Sequence, residues 1–135
     1  MLVSHTPTRV AVARRAHRSR RDAVHARELG RATILLTVTG AVDAATAPHL
    51  IGDIDDLLRG YRQLVLDLSG VDFFGAAGYS LLHRLHAGCA GAAVGWVMVT
   101  GPEVRRLLRI CDADDVFPTA PNIVSAVATL ARGAL

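Results

Sequence analysis

Residues 63–82 read QLVLDLSGVDFFGAAGYSLL, and this stretch decides the fold. A compact apolar run ends in Asp-Leu-Ser-Gly, an aromatic step follows, and the small residues 75–78 open a helical pattern of leucines. Because the apolar run has almost no polar alternation, residues 64–68 are predicted to form a central strand that is buried on both faces. A loop and then a helix, from Ala77 to about Gly88, are predicted to follow it.

The first turn of this predicted helix is almost bare of side chains. Glycine and alanine let another surface approach the backbone closely, and the amides at a helix N-terminus favour anions. The sequence therefore draws attention to the start of this helix as a contact surface.

Strands and helices alternate on both sides of this stretch. Residues 23–28 and 33–39 predict a hairpin around Gly30, and residues 94–99 predict another apolar strand. Helices are predicted to begin near Pro48, Pro102 and Pro121, and Val116-Phe117 is predicted to be a short edge strand. This order predicts an α/β fold: a mixed sheet of about five strands, parallel apart from an antiparallel edge, with about four helices packed against it.

The segment at residues 40–43 is predicted to leave the sheet. Either Asp43 or Thr46 can cap the helix that follows, and Pro48 is tolerated in its first turn. Gly60 is predicted to end that helix.

Charge divides the chain of 135 residues into two parts. All 15 basic residues are Arg, and residues 1–31 carry a net +6 whereas residues 32–135 carry −3. We interpret residues 1–22 as a basic, flexible arm and residues 23–135 as one domain. The arm could touch nucleic acid or an acidic protein surface, but it has no aromatic residue for base stacking, so a solvated tail or a start assigned too far upstream is favoured and nucleic acid is an unlikely partner.

The apolar runs fall well short of the roughly 18 residues that span a bilayer, and no secretory segment follows the basic start. The expectation is a cytoplasmic protein without a membrane partner.

Two segments resemble the STAS domain of bacterial anti-sigma factor antagonists. Residues 40–48, GAVDAATAP, are similar to the family's G-E-L-D-x-A-T-A-P segment, and residues 66–78, LDLSGVDFFGAAG, are similar to its D-L-S-x-V-x-F-x-D-S-S-G segment. The two motifs stand in register, with the expected elements between them. The resemblance covers the chain from about Ala23 onward.

The resemblance implies a non-enzymatic protein-interaction domain whose partner is an anti-sigma factor, often an ATP-using kinase. In that family the kinase switches the antagonist off by phosphorylating a serine, which adds nearly two negative charges to the contact surface. Here Ala76 stands at the phosphorylated serine and Gly75 at the preceding aspartate. Alanine has no hydroxyl, so this switch cannot operate at position 76.

Two functional interpretations follow. Either the domain still binds an anti-sigma factor and is permanently unphosphorylated, or it has become a subunit of a transporter or sensor assembly, with nucleotide binding as a further alternative. The partner-binding residues are predicted at the two motifs, with Ala76 as the degenerate phosphorylation position: Asp43, Thr46, Gly75, Ala76, Ala77, Gly78, Tyr79 and Ser80.

Other chemistry is not supported by the residues present. The chain lacks a nucleophile elbow, a phosphate-binding lysine and a zinc-protease motif, so no catalytic residue and no cofactor is predicted. His83 and His86 could share a helix face but lack an obvious third metal ligand, so a solvated face is favoured. Cys89 and Cys111 are interpreted as small buried hydrophobes, with a redox-sensitive disulfide as the lesser alternative.

Overall fold

The computed structural model describes residues 24–111 and 116–133. The predicted basic arm, residues 1–22, and the acidic residues 112–115 lie outside the described residues. The arm and the domain boundary at residue 23 therefore stay predictions. Within the described ranges, no helix is long and apolar enough to cross a bilayer.

Five strands and four helices alternate along the described chain, which confirms the predicted α/β class. They are β1 (Val24–Glu28), β2 (Thr33–Val42), α1 (Ala47–Leu58), β3 (Gln63–Phe74), α2 (Ala76–Ala92), β4 (Gly95–Val99), α3 (Pro102–Ile110), β5 (Thr119–Ala120) and α4 (Ile123–Gly133). The strands form one sheet in the order β1-β2-β3-β4-β5. The β1–β2 pair is antiparallel and the other three pairs are parallel, as the hairpin and the helical crossovers predict.

Strand β3 lies at the centre of the sheet and separates two hydrophobic layers. Because successive side chains of a strand point to opposite faces, Leu64 and Leu66 join one layer and Val65 joins the other. The larger layer includes residues of α1, α2 and α3, and the smaller one includes residues of α4. Leu64, Val65 and Leu66 are each 0% exposed, which confirms the prediction of a strand buried on both faces.

Both central strands are longer than predicted. The loop predicted at residues 69–74 continues β3 to Phe74, and the exit predicted at residues 40–43 continues β2 to Val42. The two extensions pair with each other through irregular register, and Gly40 adopts a positive φ of 80° beside one register shift. The interpretation of Gly40 as the end of the strand is wrong, since β2 continues beyond it. A glycine within a strand can also mark an irregularity of that strand.

The predicted edge strand at Val116-Phe117 is wrong. The last strand is Thr119–Ala120, and Phe117 is 4% exposed, packed into the larger layer. Its ring lies 6.2 Å from Trp96 and 5.0 Å from His83, measured between ring centroids. A valine followed by an aromatic residue is typical of a strand in sequence. Here the ring of Phe117 instead packs a loop against α2 and β4.

Helix α2 is also longer than its predicted span. It starts one residue before Ala77 and continues past Gly88 to Ala92, where Ala93 ends it with a left-handed φ of 58°. Glycine usually takes this position at a helix end, so the stop carries little sequence signal.

Candidate functional site

The two sequence motifs meet at the carboxyl ends of β2 and β3. Val42 and Phe74, the last residues of these strands, are register partners, and the amide of Gly75 donates a hydrogen bond to the carbonyl of Val42 at 3.2 Å. Asp43 and Gly75 therefore leave the sheet side by side. We call residues 43–46 and 75–80 together the strand-end face.

Residues 43–46 form a turn that is held by its own side chains. Asp43 Oδ1 accepts hydrogen bonds from the amides of Ala45 and Thr46, both at 3.0 Å. Thr46 Oγ1 accepts one from the amide of Asp43 at 2.9 Å and donates one to the carbonyl of Ala41 at 2.9 Å. Asp43 thus caps the turn that leads into α1, while Thr46 takes the helix cap position without a side-chain cap bond. These hydrogen bonds hold the turn in a fixed conformation beside the start of α2.

Helix α2 begins without a capping side chain. Gly75 is its cap residue, and the Gly75 carbonyl accepts hydrogen bonds from the amides of Gly78 at 2.9 Å and Tyr79 at 3.2 Å. Ala76 and Ser80 are exposed, whereas Ala77 and Tyr79 are half-buried. The part of this turn that a partner can contact is therefore apolar at position 76, where the related motif carries a phosphorylatable serine.

Gly78 differs from the other small residues because it faces the interior. A Cβ at position 78 would lie 2.7 Å from Cε1 and Cζ of Phe74, closer than packed atoms tolerate. Its missing side chain lets α2 pack onto the end of β3. The interpretation of a bare turn open to a partner therefore fits Ala76 but not Gly78.

Phe73 was missed in the sequence analysis, although it lies next to this turn. Its side chain is 52% exposed, and its ring approaches Gly75 so closely that a Cβ there would lie 3.1 Å from Phe73 Cε2. The signal that could have revealed it is strand alternation: once β3 continues to Phe74, adjacent aromatic residues must point to opposite sides. Phe74 is buried, so Phe73 points outward.

The two segments of the strand-end face, with the residues that adjoin them in sequence, contain acidic but no basic residues. Residues 40–46 and 70–80 contain no arginine, and their charged residues are Asp43 and Asp72. Asp72 is exposed, and Asp43 is half-buried in its turn. An apolar surface with an acidic border results.

The histidine pair of α2 is exposed and is also part of a cluster of aromatic rings. His83 and His86 both pack edge-on against Phe117, with centroid distances of 5.0 and 5.7 Å. Trp96 Nε1 donates a hydrogen bond to His86 Nδ1 at 3.2 Å. Among residues 24–111 and 116–133, no group of three or more His, Cys, Asp or Glu side chains is arranged to hold a metal ion.

The two cysteines are free thiols in different surroundings. Cys89 is buried in the larger layer, as expected, and burial raises its pKa to about 11. Cys111 is half-buried at the end of α3. The interpretation as two buried hydrophobes is therefore confirmed for Cys89 alone.

Comparison with known proteins gives consistent matches. A model of the STAS domain matches residues 23–126. The chain is 34% identical over 101 residues to Osmosensory protein A of Mycobacterium tuberculosis, a match that covers 72% of this chain and 64% of that protein. This chain thus spans less than two thirds of the length of that relative.

Solved structures with the same architecture include anti-sigma factor antagonists. One from Mycobacterium paratuberculosis is 28% identical, with a TM-score of 0.70 over 78% of this chain and 91% of that chain. The anti-sigma factor antagonist SpoIIAA in its unphosphorylated form is 15% identical, with a TM-score of 0.68 over 82% of this chain and 97% of that chain. At 15% identity, the second match is evidence for the fold alone.

Proposed function

We propose that this chain, which belongs to the STAS domain family, is a non-enzymatic anti-sigma factor antagonist that binds an anti-sigma factor without serine-phosphorylation control. The binding surface is the strand-end face, and the cellular compartment is the cytoplasm. The likeness to the 28% identical antagonist from Mycobacterium paratuberculosis supports this choice within the family.

The observation that carries the proposal is the exposed, uncharged side chain of Ala76 at the first turn of α2, beside the firmly bonded turn at Asp43. A kinase that meets this surface finds no hydroxyl at position 76. Because phosphorylation would add nearly two negative charges there, its loss leaves the surface permanently competent to bind. The regulatory signal then acts on the partner or on the amount of this protein.

Direct titration tests the proposal. The purified chain is titrated calorimetrically with each purified ATPase-type anti-sigma protein of the source organism, with and without ATP. We expect one of them to bind, with the same affinity after prolonged incubation with ATP. Failure of every such protein to bind the native chain would contradict the proposed function.

Substitutions then locate the surface. Ala76→Asp should weaken binding at least about tenfold by placing a charge in the contact. The helix dipole favours an acidic residue in the first turn, so the loss of binding affinity cannot be attributed to a weakened helix. Ala87→Asp is the matched control, because Ala87 is exposed on the same helix but lies three turns further along. Equal affinities of Ala76→Asp and native protein would exclude this surface.

A second candidate function is membership of a sensor assembly, and the match to Osmosensory protein A favours it. In that case the domain serves as an interaction module of a larger signalling complex, with nucleotide binding as its input. Calorimetry with ATP and GTP separates the two candidates. Saturable nucleotide binding together with no anti-sigma binding would favour the sensor assembly.

A further inference from the structure

We propose that Phe73 is the anchor of the strand-end face, and that it inserts into an apolar pocket on the partner whose border is basic. This inference rests on the proposed function, because it names the chemistry of the partner at the same surface. Phe73 lies within the second motif, two residues before the helix cap Gly75, and it extends the strand-end face beyond the residues predicted from the sequence.

The exposure of Phe73 follows from the end of β3. Phe74 turns inward against Gly78 and is 6% exposed, so the preceding side chain must turn outward. The Phe73 ring remains 52% exposed on a hydrogen-bonded strand, not on a free loop. A large ring held on a rigid element loses little conformational freedom when a partner covers it, which is the property of an interface anchor.

Gly75 makes room for this ring. A Cβ at position 75 would lie 3.1 and 3.2 Å from Cε2 and Cζ of Phe73, so a larger residue would require the ring to shift by a few tenths of an ångström. The resemblance puts an aspartate at this position, and a phenylalanine at position 73, in related chains. Here glycine removes the carboxylate and leaves the Phe73 ring next to an uncharged helix cap.

The charge beside the ring defines the partner's border. Asp72 is exposed directly before Phe73, and residues 70–80 contain no other charged side chain. A partner that covers the ring must come close to this carboxylate. Like charges would repel, so arginine or lysine at the border of its pocket is the complementary chemistry.

The test uses the anti-sigma protein that binds the native chain in the titration described above. Phe73→Ala should weaken the Kd at least about tenfold, as truncation of an interface anchor does. Ile110→Ala is the matched control, since Ile110 is an apolar residue that is 70% exposed at the C-terminal end of α3, whereas the start of that helix lies against Ser69 of β3. This control should leave the Kd unchanged. Phe73→Gln keeps much of the side-chain length but replaces the ring with a polar group, so it should lose affinity as well. It provides a second test in case the alanine variant misfolds.

The charge component has its own measurement. Asp72→Arg should weaken binding more than Asp72→Asn does, and the affinity of the native chain should fall as salt rises. If the native chain binds and the Kd of Phe73→Ala lies within twofold of the native value, the anchor role of Phe73 is wrong, but the proposed function is not. Unchanged affinity of Asp72→Arg overturns the basic border. If the native chain binds none of these proteins, the proposed function is wrong, and so is the anchor role of Phe73.

Discussion

Gly78 lies so close to Phe74 that a methyl group at position 78 would come within 2.7 Å of two ring carbons. This contact sets the distance between α2 and the end of β3, and with it the position of Ala76. Gly78→Ala should therefore reduce the free energy of unfolding by about 1–3 kcal/mol, in spite of the better helix propensity of alanine. Urea denaturation followed by circular dichroism measures the change.

The matched control is Gly88→Ala on the same helix. Its Cβ would meet Leu58 Cδ1 at 3.6 Å, an ordinary van der Waals contact. Without overpacking, the gain in helix propensity should stabilise the protein by roughly 0.5–1 kcal/mol. If both variants changed stability in the same direction, the close packing at position 78 would not explain the glycine.

Gly101 has an equally direct reason to be glycine. A Cβ there would lie 2.6 Å from the carbonyl oxygen of Ser69, a backbone atom that cannot rotate away. Gly101→Ala should cost about 2–3 kcal/mol or more of unfolding free energy, because either α3 or β3 must shift. Gly60→Ala is the control, with its nearest atom at 3.9 Å, and should change stability little. Native-like stability of Gly101→Ala in urea denaturation would contradict the tight approach of α3 to β3.

The sequence predicted the elements whose periodicity is strong and missed those set by a partner strand. The apolar run at residues 64–68 and the hairpin were predicted because their patterns are local. The extensions to Val42 and Phe74 pair with each other, so neither has a clear signal alone. The missed exposure of Phe73 has the same origin, since its direction depends on the strand that was interpreted as a loop.

The strand-end face was likewise only partly predictable. Two motifs more than twenty residues apart could be recognised, and their proximity follows from the parallel pairing of β2 and β3. The sequence does not separate Gly78, which serves internal packing, from Ala76, which is exposed. Glycine and alanine suit both roles, and only the position of the Phe74 ring distinguishes them.

The hydrogen bond from Trp96 to His86 predicts a change in tryptophan fluorescence when its acceptor is removed. Trp96 is the sole tryptophan, and its indole N–H donates to His86 Nδ1 at 3.2 Å. Leucine has no acceptor atom, so His86→Leu should leave the indole N–H without this partner and shift the Trp96 emission. His83→Leu is the control and should leave the emission close to that of the native protein, because the His83 ring contacts Phe117 and not the indole N–H. Identical emission spectra of His86→Leu and the native protein would contradict this hydrogen bond.

The buried thiol of Cys89 predicts a dependence of stability on alkaline pH. Burial raises its pKa from 9.0 to about 11, so the folded state keeps its proton where the unfolded state has lost it. The free energy of unfolding should therefore be unaffected by this group below pH 9, and should fall by about 2–3 kcal/mol as the pH rises from 9 to 11. Cys89→Ala should flatten this part of the pH profile, whereas Cys111→Ala should not.

At pH 8 a thiol reagent should modify Cys111 quickly and Cys89 only as fast as the protein opens, which mass spectrometry of the two tryptic peptides resolves. Equally rapid modification of both thiols in the folded protein would mean that Cys89 is not sealed within the layer between the sheet and its helices.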